Sequence, residues 1–136
     1  MIPRSDLIRE WAAAWSSRNV DIVLAFYTHD VVYEDVTFDL TFNGTDELRG
    51  FVNTMYEFCP DLTLETRLQV VDGDDVAFEW TMSGTQRGDL ADIPAAGRTF
   101  SVNGMSRAEF RGDRMSLCID YWDMATVRKC LTGGPE

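Results

Sequence analysis

The chain has 136 residues, 45% of them hydrophobic and 12% aromatic, and a formal net charge of -11. That length supports one domain, residues 1–136, with a single substantial core, and the composition is that of a folded globule rather than a disordered tail. The negative charge excludes nucleic acid and anionic membrane surfaces as expected partners, because both carry the same sign.

Three cysteines (Cys59, Cys118 and Cys130) without CxxC spacing, together with a single histidine, His29, suggest neither a disulfide framework nor a metal centre. No apolar run approaches the length needed to span a bilayer, and the opening Met1-Ile2-Pro3-Arg4-Ser5-Asp6 lacks an apolar leader. The expectation is a soluble, cytoplasmic protein that uses no cofactor.

In chain order, Ser5 is placed to cap a helix from Asp6 to Ser17, with Leu7, Trp11 and Trp15 at four-residue spacing on one face. Asn19 is placed to cap a second helix, Val20 to Tyr27, in which Val23, Phe26 and Tyr27 fall at helical spacing. The polar break Thr28-His29-Asp30 puts His29 in a solvated loop ahead of a strand over Val31 to Val36. A short extended piece, Leu40 to Phe42, ends at the Asn43-Gly44 turn. Thr45 is then expected to cap a third helix, Asp46 to Phe58, with Leu48, Phe51, Val52, Met55 and Tyr56 inward, and Cys59-Pro60 stops it.

Four extended segments follow. Asp61 to Val71 places Leu62, Leu64, Leu68 and Val70 on one face, and Asp75 to Thr85 does the same with Val76, Phe78, Trp80 and Met82. After an irregular loop, Gln86 to Gly97, the stretch Arg98 to Phe110 carries Phe100, Val102, Gly104, Ser106, Ala108 and Phe110 on its apolar side. A turn at Arg111-Gly112-Asp113 leads into a last strand that ends at Asp123, and a short helix, Met124 to Leu131, closes the chain. Helices first and then a long antiparallel meander is the α+β pattern: helices packed on one face of a curved sheet, forming a cone whose interior is the natural ligand site.

Two aspartates break this pattern. Asp35 shares a face with Val31 and Tyr33, and Asp120 shares one with Cys118 and Trp122, so each carboxylate points to the apolar side of its strand. In one cavity the pair would have raised pKa values suited to proton transfer. The plainer reading is structural: Asp35, near a strand end, is also placed to cap a turn, and Asp120 to pair with an arginine. The pocket around them is expected to be lined by Trp11, Tyr33, Tyr56, Phe78, Trp80, Met82, Ser106, Phe110, Cys118 and Trp122, an aromatic set that suits a flat or extended apolar ligand. Nucleophilic triads would need the lone His29, and no G-x-S-x-G, P-loop or dinucleotide fingerprint is present. Acid/base chemistry without a cofactor is what remains.

The chain resembles the SnoaL-like polyketide cyclases of the nuclear-transport-factor-2-like superfamily over nearly its whole length. The resemblance rests on Trp11-Ala12-Ala13-Ala14-Trp15 with Asn19-Val20-Asp21, on Tyr33-Glu34-Asp35, and on Gly44-Thr45-Asp46-Glu47-Leu48-Arg49. It continues through Phe58-Cys59-Pro60-Asp61-Leu62, Trp80-Thr81-Met82-Ser83-Gly84-Thr85 and Asp120-Tyr121-Trp122-Asp123. It implies a cone-shaped antiparallel or mixed sheet wrapped around three helices from the N-terminal half. It also implies that Asp120 matches the aspartate driving an intramolecular aldol closure in the cyclases, and that Asp35 matches the proton-shuttling aspartate of ketosteroid isomerases, whose acid/base logic is a standard worked case. The isomerases' enolate-stabilising tyrosine and aspartic acid fall at Trp11 and Ser106, and the polar helpers of the cyclase aspartate fall at Gly104 and Ser106. The Asp-Arg-Asp triad of limonene epoxide hydrolases would need Arg and Asp near Trp80 and Met82; only Asp120 matches.

The expected function is therefore a cofactor-independent acid/base enzyme acting on a hydrophobic, carbonyl-bearing small molecule, a polyketide cyclase of secondary metabolism. Isomerisation, dehydration, epoxide opening or assisted hydroxylation in the same pocket is one alternative, and a non-catalytic binding or dimerisation domain is another. On the last strand Met115, Leu117, Ile119 and Tyr121 form the face opposite Asp120, which predicts a homodimer packed through the sheets.

Overall fold

The spacing of large apolar residues organises the N-terminal third of the chain. In the computed structural model, which describes residues 2–133, helix α1 (Arg4–Ser17) buries Leu7, Trp11 and Trp15 on one face. It begins earlier than expected, because the Pro3 carbonyl already accepts from the N–H groups of Asp6 and Leu7; Ser5 lies inside the first turn and caps nothing. Helix α2 (Val20–Leu24) is capped by Asn19, whose Oδ1 accepts from Ile22 N at 3.2 Å.

That helix stops short of Tyr27 because sheet pairing takes over. Strand β1 (Tyr27–Asp35) starts at Tyr27, opposite Met115, and includes Thr28, His29 and Asp30, so His29 is an exposed strand residue and not a loop residue. Strand β2 (Leu40–Asn43) leads into α3 (Gly44–Phe58). Its N-terminus is closed by Glu47, which accepts from Asn43 N at 2.8 Å, half of a capping box, while the Thr45 side chain makes no cap.

Strands β3 (Thr63–Asp72), β4 (Asp75–Thr85), β5 (Thr99–Arg111) and β6 (Arg114–Trp122) form the meander, and α4 (Met124–Thr132) follows, capped by Asp123 through Ala125 N at 2.9 Å. The six described strands make one mixed sheet in the order β2-β1-β6-β5-β4-β3. All neighbours are antiparallel except β1 and β6, which run parallel. The sheet is not closed; β2 and β3 are its edges. Helices α1 and α3 pack against β3 and β1, and α4 against β5, so that Ile8, Trp11, Val52, Leu62 and Phe78 meet in one core. Among the described residues no helix is long and apolar enough to cross a membrane.

Two bulges change which residues face inward. In β3, Thr66 pairs with Trp80 and Gln69 with Phe78, so Arg67 and Leu68 together oppose Glu79. Alternation resets there: Leu62 and Leu64 are buried as expected, whereas Leu68 is 65% and Val70 60% exposed. Between β5 and β6, Phe110 pairs with Met115 and Glu109 with Leu117, leaving Ser116 as the extra residue. Met115 consequently lies in the core, fully buried, and does not belong to the outer row of Leu117, Ile119 and Tyr121.

Gly104 matters for what it lacks. A Cβ there would overlap the Trp80 indole, which lies across β5 at this point. Gly104→Ala should destabilise the protein by about 1–3 kcal/mol in urea unfolding, the usual cost of forcing a packed side chain aside.

Candidate active site

Sheet register assembles the site as rows across the inner face. Phe78, Ser106, Asp120 and Asp35 are successive partners across β4, β5, β6 and β1. The row on one side contains Trp80, Gly104 and Trp122; the row on the other contains Val76, Ala108, Cys118 and Tyr33. Asp35 and Asp120 therefore sit side by side, 3% and 8% exposed.

Each carboxylate is held by donors. Ser106 Oγ donates to Asp120 Oδ1 at 2.5 Å, the Tyr33 hydroxyl donates to Oδ2, and Cys118 Sγ lies 3.8 Å from Oδ1. Ser106 in turn accepts from Trp80 Nε1 at 2.8 Å. Indole N–H is a donor only, so it occupies a Ser106 lone pair and directs the hydroxyl proton toward Asp120. Asp35 accepts from Phe38 N at 2.9 Å and from Trp122 Nε1 at 3.1 and 3.2 Å. The turn-capping reading of Asp35 thus holds together with its inward position, and Asp120 has hydroxyl partners rather than an arginine.

Burial pushes the Asp120 carboxyl from 3.8 up to about 6, against the opposing effect of Ser106 and Tyr33 and with a smaller push from the Asp35 charge. Burial also raises Asp35, opposed by the Phe38 N–H and Trp122. The Tyr33 and Cys118 groups are held well above their ordinary values, chiefly by burial and then by the nearby Asp120 charge.

Both carboxylates open onto a narrow cavity. The empty space in and just outside it is about 630 Å³. Of the residues expected there, Trp11, Tyr33, Trp80, Met82 and Trp122 line the wall with Asp35 and Asp120. The other five do not. Ser106 and Cys118 stand behind Asp120, Phe78 packs edge-on against Trp11 with centroids 5.2 Å apart, Tyr56 donates to the Trp15 carbonyl at 2.7 Å, and Phe110 lies under the Arg4 guanidinium.

The wall also includes Phe38 from the turn after β1, Leu90 from the loop between β4 and β5, and Val127 from α4. None of these carries a sequence pattern that marks it as a wall residue, although Leu90 is apolar in a mostly polar loop. Among the described residues, no lysine, arginine or histidine lines the cavity. Among the described residues no three His, Cys, Asp or Glu side chains are grouped to hold a metal ion.

An open, curved mixed sheet over helices, with paired carboxylates on its inner face, defines a protein of the nuclear-transport-factor-2 and ketosteroid-isomerase-like fold. The sequence profile of one family, described as SnoaL-like polyketide cyclase, matches residues 5–131, and the chain belongs to that family. No protein of curated function matches it.

Among solved structures, AclR from Streptomyces galilaeus, a candidate hydroxylase, is 21% identical with a TM-score of 0.82, over 98% of this chain and 83% of that one. A protein from Catenulispora acidiphila with a ketosteroid-isomerase-like fold, solved with trimethylamine, is 21% identical with a TM-score of 0.80, over 96% and 94%. IdmH from Streptomyces antibioticus, a candidate polyketide cyclase, is 20% identical with a TM-score of 0.79, over 92% and 95%. At these identities the likeness is one of fold.

The raised carboxyl has a consequence for stability. Because the folded state keeps the Asp120 proton to higher pH than the unfolded chain does, its contribution to stability is complete below about pH 4 and is lost as pH rises through about 6. Asp120→Asn should remove that part of the slope, so the difference in urea midpoint between variant and parent should grow from about pH 4 to about pH 7 in the variant's favour.

Proposed function

We propose that the protein is a cofactor-independent acid/base enzyme that closes a ring in a hydrophobic polyketide by intramolecular aldol addition, in secondary metabolism. The observation that carries this reading is Asp120: a carboxylate buried in an aromatic cavity, aligned by two hydroxyl donors, with its pKa raised to about 6. A base must be ionised at working pH and yet basic enough to take a carbon-bound proton, and a raised carboxyl serves both needs. Family membership supports the same reaction class.

Asp120 removes a proton next to a carbonyl, the resulting enolate attacks a second carbonyl of the same molecule, and the proton returns to the new alkoxide. The narrow aromatic walls hold the chain in its reactive shape and exclude water. Asp35, with both oxygens already accepting N–H bonds, serves as the hydrogen-bond partner that orients Trp122.

The charge of the cavity restricts the substrate. Two carboxylates, with no cationic side chain among the described lining residues, disfavour a free acid, so the ligand enters neutral, with any carboxyl esterified or absent.

Asp120→Asn should lower kcat by at least about a hundredfold with the fold intact, and Asp35→Asn by less than about tenfold. For the parent, kcat/KM should fall as pH drops through about 6, where the base becomes protonated. Parental turnover in Asp120→Asn overturns the assignment and favours a binding module.

We also infer a homodimer through the outer sheet face, where Met105 and Tyr121 are exposed beside Leu117 and Ile119. Sedimentation at micromolar concentration should give twice the chain mass; a monomer overturns the inference.

A further inference from the structure

An enolate needs a donor for its oxygen as well as a base for its proton, and the groups on the cavity wall narrow the choice. Three of its four indole N–H groups are engaged: Trp11 with the Tyr27 hydroxyl at 2.8 Å, Trp80 with Ser106, and Trp122 with Asp35. Trp15 Nε1 is buried without a hydrogen-bond partner among the described residues and is turned toward Tyr27, which does not line the cavity. Among the described lining residues, Tyr33 is the only one besides the two aspartates that carries an acidic O–H.

Tyr33 begins with its proton committed to Asp120 Oδ2. The two carboxylate oxygens are not equivalent, because Oδ1 accepts from Ser106 and faces Cys118, while Oδ2 has Tyr33 alone. A proton taken from the substrate therefore lands on Oδ2. Once there, Oδ2 becomes a donor and the Tyr33 oxygen its acceptor, which releases the Tyr33 O–H to turn elsewhere.

We propose that Tyr33 is the enolate-stabilising catalytic residue, brought into play by reversal of its hydrogen bond with Asp120. This rests on the proton-abstraction reading of Asp120 given above. In the step, the C–H electron pair forms the C=C bond of the enolate and the carbonyl π pair moves to oxygen. The proton goes to Asp120 Oδ2, and Tyr33 keeps its own proton and donates a hydrogen bond to the new oxyanion. When the enolate carbon attacks the second carbonyl, Asp120 gives its proton to the alkoxide and the original hydrogen bond re-forms. No atom or electron pair is gained or lost overall. The packing around Tyr33 suits a fixed donor: its ring lies 5.4 Å from Phe51 and 6.0 Å from Tyr27, centroid to centroid, and it is buried.

The test uses binding, so it needs no knowledge of the natural substrate. The probes are 2-naphthol, whose anion mimics an enolate, and 2-tetralone, a ketone of the same size. In Asp120→Asn the amide oxygen takes the place of Oδ1 at Ser106 and its NH2 group faces Tyr33, which imitates the protonated carboxyl. That variant should bind 2-naphthol at least about tenfold tighter than the parent, with the naphtholate absorption band visible in the bound probe.

Adding Tyr33→Phe should abolish the gain, and adding Trp15→Phe should leave it, while 2-tetralone affinity changes less than about threefold throughout. A gain that survives Tyr33→Phe, a gain lost with Trp15→Phe, or no gain at all overturns the role of Tyr33. Failure of either probe to bind any variant, in protein that circular dichroism shows to be folded, sinks the apolar-cavity reading itself and the Tyr33 proposal with it. With a turned-over substrate in hand, Tyr33→Phe in the otherwise native protein should lower kcat about a hundredfold with little change in KM.

Discussion

The parallel pairing of β1 with β6 is the contact on which the site depends. Parallel neighbours cannot be joined by a tight turn, so the chain must leave β1, build β2, α3 and the three following strands, and return before the pair can form. Only then does Asp35 lie beside Asp120, and Tyr33 beside Cys118, within diagonal reach of the Asp120 carboxylate. The same pairing continues past β1, where Val36 N donates to the Asp120 carbonyl at 3.0 Å and Thr37 bonds to Trp122. These bonds hold the turn that Asp35 caps by accepting from the Phe38 N–H. One pairing thus fixes Asp120, its neighbour Asp35 and the turn that carries Phe38 together.

Around that pairing the site meets a recurrent difficulty, a buried carboxylate with no cation beside it. An unpaired charge in an apolar interior is costly, and a guanidinium would relieve it at the expense of basicity. Here relief comes from oriented dipoles instead. Trp80 points Ser106 at one Asp120 oxygen and Tyr33 covers the other, so the carboxyl is raised, though less than burial alone would raise it. Hydroxyl partners have a further property that an arginine lacks: they can accept from a protonated carboxyl as well as donate to a charged one.

Much of this was legible from period-two alternation. Asp35 and Asp120 stand out because an acid on the apolar side of a strand is anomalous, and the inward faces of β4 and β5 follow their residue patterns closely. The errors at Leu68, Val70 and Met115 share one cause: a bulge shifts alternation by one residue and is fixed by pairing between strands, which a single strand's pattern does not display. Facing inward also differs from facing the cavity. Phe78, Phe110, Cys118 and Ser106 are buried as their patterns require, but they do not line the open space. Depth of that kind is a property of assembled layers. The same holds for Phe38, Leu90 and Val127, which reach the wall from a turn, a loop and the last helix.

The missing side chain at Gly104 reaches beyond local packing into what the chain can become. Trp80 lies where any substituent on position 104 would project, and it is through Trp80 that Ser106 is aimed at Asp120. Positions 80 and 104 are consequently not free to change one at a time. Any larger residue at position 104 needs a smaller or redirected residue at position 80, and a change at one position alone leaves the site either overpacked or without the donor to Ser106. The carboxylate can keep its place only while its two supporting positions suit each other, which couples positions 80 and 104 energetically, so that the effects of changing both do not add.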